Sequence, residues 1–102
     1  MTVMPRYQLT AHERAKAELD AIPESEKTSI IAILEEAAQQ RQPSDHPNVK
    51  LLRGENGLFR VRSGTFRAIA TLDKPALKVL KVDRRETVYD TIDEAKGRLN
   101  DH

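Results

Sequence analysis

A change in the spacing of apolar residues near Leu58 limits the folds that this chain can adopt. Before it, apolar side chains between residues 30 and 38 recur three and four positions apart, as in a helix with one buried face. After it, Phe59 and Val61 alternate with two arginines, which is the period of a strand. The sequence therefore predicts an α+β fold with helices first and a sheet second.

The helical half is predicted to hold two helices behind a short strand. Residues 4–9 form that strand, and Thr10 with Glu13 makes a capping box at the start of the first helix. Pro23 separates this helix from a second one, which extends to about Gln40. We expect the two helices to form an antiparallel pair on one face of the sheet.

The sheet half begins with a hairpin whose predicted two-residue turn is Ser63-Gly64. With that turn, Arg60 lies opposite Arg67 and Val61 lies opposite Phe66. Because cross-strand partners share a side of the sheet, one side is apolar and the other is basic. Like charges on opposite positions cost up to about 1 kcal/mol per pair, so the basic side favours a phosphate site over a merely solvated surface.

The remaining elements complete a small sheet. A strand over Leu77 to Val82 follows a turn at Asp73 to Pro75, and a short helix over Thr91 to Leu99 closes the chain. The predicted fold has two N-terminal helices packed on a mostly antiparallel sheet of about four strands. At 102 residues, we expect one domain over residues 1–102.

The net charge of +1 conceals an uneven distribution along the chain. Residues 50–89 contain ten basic and four acidic side chains, whereas residues 8–49 contain four basic and eight acidic ones. A basic half of this kind is typical of a surface for an anion, and nucleic acid is the commonest large anion in cytoplasm.

Several kinds of site have no support in the sequence. There is no cysteine, and the three histidines lack the spacing of metal ligands, so we expect no disulfide, metal or cofactor. By pattern, His12 is a surface residue of the first helical turn, and His46 is a loop residue between two prolines. No apolar segment is long enough for a signal or a membrane span, so we expect a cytoplasmic protein with no membrane partner.

Two segments of the second half resemble a known family. One is Gly57-Leu58-Phe59-Arg60-Val61-Arg62-Ser63-Gly64-Thr65-Phe66-Arg67, and the other is Arg85-Glu86-Thr87-Val88-Tyr89. The first has a glycine, an alternating strand and a short turn into an aromatic–arginine pair; the second is a late Arg-x-x-Val-Tyr. In this order, behind two helices, they resemble the RelE-type toxins of the RelE/ParE superfamily over nearly the whole chain.

The resemblance implies an endoribonuclease that cuts messenger RNA on the ribosome. The positions that the family uses for catalysis all hold the residue type of an active member: Arg60, Arg62, Arg67, Arg85 and Tyr89. The chain departs from the family at Asp83, where glycine is usual, and at Arg84, where histidine or lysine is common. We therefore interpret Arg84, with Lys50 and Arg53, as an RNA-contacting residue and not a catalytic one.

The implied roles agree with the chemistry of RNA cleavage. Attack by a 2′-hydroxyl needs a base, stabilisation of a dianionic intermediate and protonation of the leaving oxygen. The hairpin arginines would stabilise the charge, and Arg85 would lie at the leaving oxygen or the scissile phosphate. Tyr89 would be the base, because nearby arginines favour an ionised phenol. The alternatives are an edge-sealing role for Tyr89 and an ion pair of Arg85 with Glu86 or Asp83.

The resemblance also implies partners. They are the ribosome with its messenger RNA, and a RelB-like antitoxin encoded beside the toxin. We expect the antitoxin to cover the basic side or to displace the closing helix, in a toxin–antitoxin hetero-oligomer.

Two other functions fit the same fold class. A ParE-like inhibitor of DNA gyrase would bind its target without nuclease chemistry and would not need the five catalytic-type residues together. A non-catalytic RNA-binding module would stack bases on exposed aromatic rings. Phe59 and Phe66 are instead predicted on the buried side, which leaves Tyr7 and Tyr89 as the platforms for such stacking.

Overall fold

A five-stranded mixed sheet forms the centre of the computed structural model, which describes residues 6–52, 57–84 and 88–99, with side chains in the last segment from residue 92. The elements in chain order are β1 (Gln8–Ala11), α1 (Glu13–Ala21), α2 (Glu24–Gln39), β2 (Val49–Leu51), β3 (Leu58–Ser63), β4 (Phe66–Asp73), β5 (Ala76–Arg84) and α3 (Val88–Leu99), with a 3-10 turn at Pro43–Asp45. The strand order is β1-β5-β4-β3-β2. All neighbours are antiparallel except β1 and β5.

The predicted α+β class is confirmed, with one more strand than expected. That strand is β2, whose three residues are too few to show a period in the sequence. β1 begins later than predicted, at Gln8, and the predicted start of the strand at residues 4 and 5 lies outside the described residues.

The two N-terminal helices cover one face of the sheet, as predicted. The core on this face includes Ala15 and Leu19 of α1, four residues of α2, and inward side chains of β2, β3, β4 and β5. Phe59, Val61 and Phe66 all belong to it, so the apolar side predicted for the hairpin is confirmed.

The opposite face is not solely basic, because α3 packs on part of it. Leu58, Ile69 and Leu80 of the sheet form a second buried cluster with Ala95 of α3, and the half-buried Ile92 packs against them. A register shift in β5 leaves Leu80 without a cross-strand partner beside this cluster. The sheet is therefore buried on both faces, and only the strands away from α3 leave this second face open.

The hairpin turn is Gly64-Thr65, so the predicted turn at Ser63-Gly64 is wrong. Ser63 pairs with Phe66, and Arg62, not Arg60, lies opposite Arg67. Gly64 is the first residue of the turn and has a φ of 58°. Glycine adopts this positive φ without the strain that a side chain would bring. The register moves by two residues, so every side chain keeps its predicted face.

His12, and not Thr10, caps α1. Its Nδ1 accepts a hydrogen bond from the backbone N–H of Arg14 at 3.1 Å, and the side chain is buried at 8% exposure, so the predicted capping box and surface position are both wrong. Thr10 belongs to β1, where it pairs with Lys78 of β5. His46 lies between the 3-10 turn and β2, in the predicted loop, but it is buried and its Nε2 lies 2.9 Å from a carboxylate oxygen of Glu36.

Gly64→Ala should lower the free energy of unfolding by about 1 kcal/mol, because alanine is strained at this positive φ. An added Cβ at Gly64 would meet no atom within 4 Å, so the backbone alone accounts for the loss. Gly97→Ala is the matched control, since Gly97 lies in α3 with equally open surroundings and an ordinary helical φ. It should stabilise by about 0.5–1 kcal/mol. Urea unfolding measures both, and a Gly64→Ala protein as stable as wild type would contradict the assigned turn.

Candidate nucleic-acid interface

Four basic side chains lie together on the sheet face that carries α3. Lys50 of β2 pairs with Arg60 of β3, and Arg62 of β3 pairs with Arg67 of β4. Cross-strand partners and alternate residues of one strand share a face, so all four lie on the same side as Leu58. Lys50 and Arg62 are exposed, and Arg60 is half-buried. We call these four residues the basic strip.

Nothing in the described residues compensates the charge of the exposed part of this strip. Neither Lys50, Arg60 nor Arg62 forms an ion pair with a described acidic side chain. Each of the two cross-strand pairs joins like charges, which destabilises a sheet by up to about 1 kcal/mol per pair. An arrangement that costs stability and leaves guanidinium groups accessible is suited to binding an anion.

Arg67 differs from the rest of the basic strip because its guanidinium is anchored. It is only 7% exposed, and its Nη1 donates hydrogen bonds of 2.9 Å to the carbonyl oxygens of Gly64 and Phe66. β4 lies between β3 and β5, and on the β5 side Arg67 has Asp83 as its cross-strand partner. Arg67 is thus a fixed cation that also supports the hairpin turn.

The chain leaves the sheet close to Arg67. β5 ends at Arg84, which pairs with Phe66, and α3 begins at Val88. We call residues 85–89 the corner. Tyr89 falls in the first turn of α3, earlier than the predicted helix start, and its side chain lies outside the described ones, as do Arg85 and Arg53 altogether. The catalytic roles of Arg85 and Tyr89 and the RNA contact of Arg53 therefore stay predictions.

Arg84 does not belong to the basic strip. It lies opposite Phe66, whose side chain is in the core beneath α1 and α2, and its guanidinium carbon is 5.9 Å from the centre of that ring. Its backbone N–H donates a 2.7 Å hydrogen bond to the Asp83 carboxylate. An RNA contact by Arg84 would thus come from the other side of the sheet.

A cluster of charged side chains that the sequence did not predict joins α1, β5 and α3. The Glu18 carboxylate accepts hydrogen bonds from Lys81 Nζ at 2.6 Å, from Arg98 Nη1 and Nη2 at 2.7 and 2.9 Å, and from the backbone N–H of Val82 at 3.0 Å. Glu94 of α3 adds a second carboxylate 2.8 Å from Lys81 Nζ. We call Glu18, Lys81, Glu94 and Arg98 the Glu18 cluster. Glu18 lies 63 positions from Lys81 and 80 from Arg98, so no local pattern in the sequence reveals these contacts.

The Glu18 cluster holds its carboxylate in the charged form. Burial raises the pKa of Glu18, but the hydrogen bonds from Arg98, Lys81 and Val82 outweigh burial and bring that pKa below its usual range. The Glu18 hydrogen bond raises the pKa of Arg98, and Glu18 with Glu94 raises the pKa of Lys81 against the effect of burial. The cations are nearly buried, at 10% side-chain exposure for Lys81 and 9% for Arg98.

The described residues contain neither a candidate metal site nor a helix that could cross a membrane. No group of three or more histidine, cysteine, aspartate or glutamate side chains in residues 6–52, 57–84 and 88–99 could hold a metal ion. In the same ranges, no helix has the length and apolar character that crossing a membrane requires.

Similarity to known proteins extends over most of the chain, although no protein-family model matches it. A curated protein of Methanocaldococcus jannaschii, named "Putative toxin RelE1", is 26% identical over 86 residues, which cover 82% of this chain and 96% of that protein. The E. coli toxin RelE, solved as a mutant in the free state, has a TM-score of 0.76 at 22% identity, covering 94% of this chain and 99% of the other. A chain of the toxin–antitoxin complex RelBE2 from Mycobacterium tuberculosis has a TM-score of 0.63 at 25% identity, with coverage of 83% and 98%.

The Glu18 cluster predicts how stability depends on pH. A carboxylate whose pKa is lower in the folded than in the unfolded state stabilises fully above the ordinary value of 4.5, and this stabilisation is lost as pH falls through the folded value. Wild type should therefore lose stability in acid more steeply than Glu18→Gln, and the difference between the two should shrink.

Urea unfolding from neutral to acid pH measures this slope. Asp20→Asn is the control, since it removes a carboxylate of the same helix whose pair with Lys27 is exposed and screened by solvent. It should change the slope far less than Glu18→Gln. Parallel slopes for wild type and Glu18→Gln would show that Glu18 is not held in its charged form by the fold.

Proposed function

We propose, from the premise that this chain is RelE-like in sequence and in fold, that it is the toxin of a type II toxin–antitoxin system. The resemblance predicted from the sequence is confirmed by the relative in Methanocaldococcus jannaschii and by the solved RelE structures. The proposed activity is cleavage of messenger RNA in the cytoplasm, on the ribosome, without a metal ion.

The observation that carries the proposal is the pair of like-charged cross-strand contacts in the basic strip. Lys50 opposite Arg60 and Arg62 opposite Arg67 place four cations on one rigid face. A guanidinium group offers parallel N–H donors that match two oxygens of one phosphate. Fixed cations of this kind stabilise the negative charge that develops when a phosphodiester is attacked.

The proposed division of labour follows the requirements of the reaction. Arg60, Arg62 and Arg67 stabilise the dianionic intermediate, with Arg67 held in place by the hairpin carbonyls. Tyr89 removes the proton from the 2′-hydroxyl, and Arg85 acts at the leaving 5′-oxygen. The products are a 2′,3′-cyclic or 3′-phosphate and a 5′-hydroxyl.

A requirement for the ribosome follows from the shape of the face. The basic strip lies on the part of the sheet face that α3 leaves open, where Lys50 and Arg62 are exposed. Alignment of the attacking hydroxyl, the phosphorus and the leaving oxygen can contribute several kcal/mol when the strand is already held in place. In the proposal, the decoding site holds the message, and the toxin supplies the charges and the proton-transfer groups.

The proposed partner is a RelB-like antitoxin with an acidic segment. The M. tuberculosis structure and those from Methanococcus jannaschii and Pyrococcus horikoshii are complexes of RelE-type chains with antitoxins. An acidic segment laid over the basic strip would neutralise the charges of Lys50, Arg60 and Arg62 and exclude RNA.

The purified protein should cut messenger RNA within the reading frame when added to translating ribosomes, and should leave naked RNA nearly intact. Arg60→Ala and Arg62→Ala should each slow cleavage by roughly 10- to 100-fold, because a hydrogen bond to a charged group contributes about 1.5–3 kcal/mol. Neither variant should lose stability, since each relieves a like-charge contact. Primer extension locates the cuts, and urea unfolding measures stability.

Arg41→Ala is the matched control for this experiment. Arg41 is an exposed arginine next to α2, beside the core residue Phe59 on the other side of the sheet, so its removal should not slow cleavage. Inhibition of gyrase supercoiling without any cut in the message would overturn the nuclease proposal in favour of a ParE-like activity.

Tyr89→Phe should slow single-turnover cleavage by roughly 10²–10⁴-fold, the usual effect of losing a proton-transfer group. The wild-type rate should rise with pH as the phenol ionises, and the variant should not show this rise. Tyr7→Phe is the control, because it removes a hydroxyl that donates a 2.7 Å hydrogen bond to the Arg41 carbonyl on the helix-covered side. Its cleavage rate should match wild type. A Tyr89→Phe protein with full activity would assign the base to another group.

A further inference from the structure

The edge of β5 has a gap that a side chain fills. β1 pairs with β5 only as far as Val79, so in the part of the chain that the structure describes no strand borders the last residues of β5 on that side. The backbone N–H of Val82 falls in this stretch, and it donates to the Glu18 carboxylate at 3.0 Å. Glu18 thus takes the place of a strand carbonyl at the point where β5 leads into the corner.

The same carboxylate also binds the element on the other side of the corner. Arg98 of α3 makes a two-pronged contact with both oxygens of Glu18, and its Nη1 also donates to the carbonyl of Leu80 at 3.0 Å. Lys81 of β5 contacts Glu18 and Glu94 at once. One carboxylate on α1 therefore joins the strand before the corner to the helix after it.

Few described apolar contacts hold α3 to the sheet. Of the described side chains of α3, only Ala95 is a fully buried apolar one; Ile92 is half-buried and Leu99 is exposed. Removal of the Glu18 charge would also leave Glu94 to compensate both Lys81 and Arg98, which have little access to solvent. Among the described side chains, the Glu18 cluster therefore supplies the hydrogen bonds that join α3 to β5 and α1, beside the small apolar contact of Ala95 and Ile92.

We propose that Glu18 is a positioning residue for RNA cleavage: by fixing α3 against β5, it sets the first turn of α3, which includes Tyr89, relative to the basic strip. The inference rests on the proposed function, because it assigns Glu18 a role in the same reaction. Glu18 touches no reacting atom; it acts through β5 and α3. Its loss should therefore slow the chemical step and leave binding of the ribosome, which the basic strip provides, unchanged.

Glu18→Gln is the test variant, since an amide keeps the size and one acceptor oxygen but removes the charge. Single-turnover cleavage on programmed ribosomes should slow by about tenfold or more, while the ribosome dissociation constant stays within about twofold of wild type. Asp20→Asn removes an exposed carboxylate of the same helix that pairs with Lys27, and it should change neither quantity. Arg98→Gln should act through the same contact, so the double variant should be no slower than the slower single one.

A second measurement follows the corner without RNA. The chain has two tyrosines, Tyr7 and Tyr89, so protein labelled with 3-fluorotyrosine gives two fluorine signals, assigned with Tyr89→Phe. Glu18→Gln should shift or broaden the Tyr89 signal and leave Tyr7 unchanged, because Tyr7 is anchored to Arg41 on the other side of the sheet. A general loss of folding would move both signals.

Each outcome decides part of the inference. A Glu18→Gln protein that cuts at the wild-type rate, or an unmoved Tyr89 signal, would overturn the positioning role. Slower cleavage explained entirely by weaker ribosome binding would overturn it as well. If wild type itself does not cut, the proposed nuclease function fails, and the Tyr89 signal still decides whether Glu18 sets the corner.

Discussion

The Glu18 carboxylate closes the stretch of β5 that β1 does not reach. It accepts one backbone N–H and three side-chain N–H donors, so a helix, a strand and a second helix meet at one charge. Lys81 and Arg98 are nearly buried, so removal of the Glu18 charge that compensates them should cost more than an exposed ion pair contributes. The arrangement of α1, β5 and α3 depends on this contact.

The two faces of the sheet serve different purposes. Beneath α1 and α2, an apolar core of aromatic, aliphatic and alanine side chains provides stability without any requirement for exact chemistry. The other face divides into a small apolar cluster under α3 and the basic strip beside it. In the strip, Lys50 lies opposite Arg60 and Arg62 lies opposite Arg67, and like charges at such positions destabilise a sheet.

Local patterns predicted those features that depend on neighbours along the chain. The spacing within α2 and the alternation within β3 fixed the element types and the face of every arginine in the hairpin, even though the turn was placed one residue early. The capping of α1 was not predictable in this way. Thr10 belongs to β1, where it pairs with β5, and the His12 side chain caps the helix instead. The pairing of β1 with β5 thus outweighed the local preference of Thr10 and Glu13 for a capping box.

By itself, the sequence determined the class of fold and the likeness to RelE toxins. It also determined that the arginines of the hairpin lie on the face opposite to Phe59, Val61 and Phe66. These features follow from the spacing and type of residues that are close together in the chain. Only the tertiary structure decided that Arg62 opposes Arg67, that Arg67 is anchored to the turn, and that Glu18 binds residues 63 and 80 positions away. Those contacts form when the strands pair and α3 packs on the sheet. Their free energies depend on distances between residues that are far apart in the chain, which a local pattern does not predict.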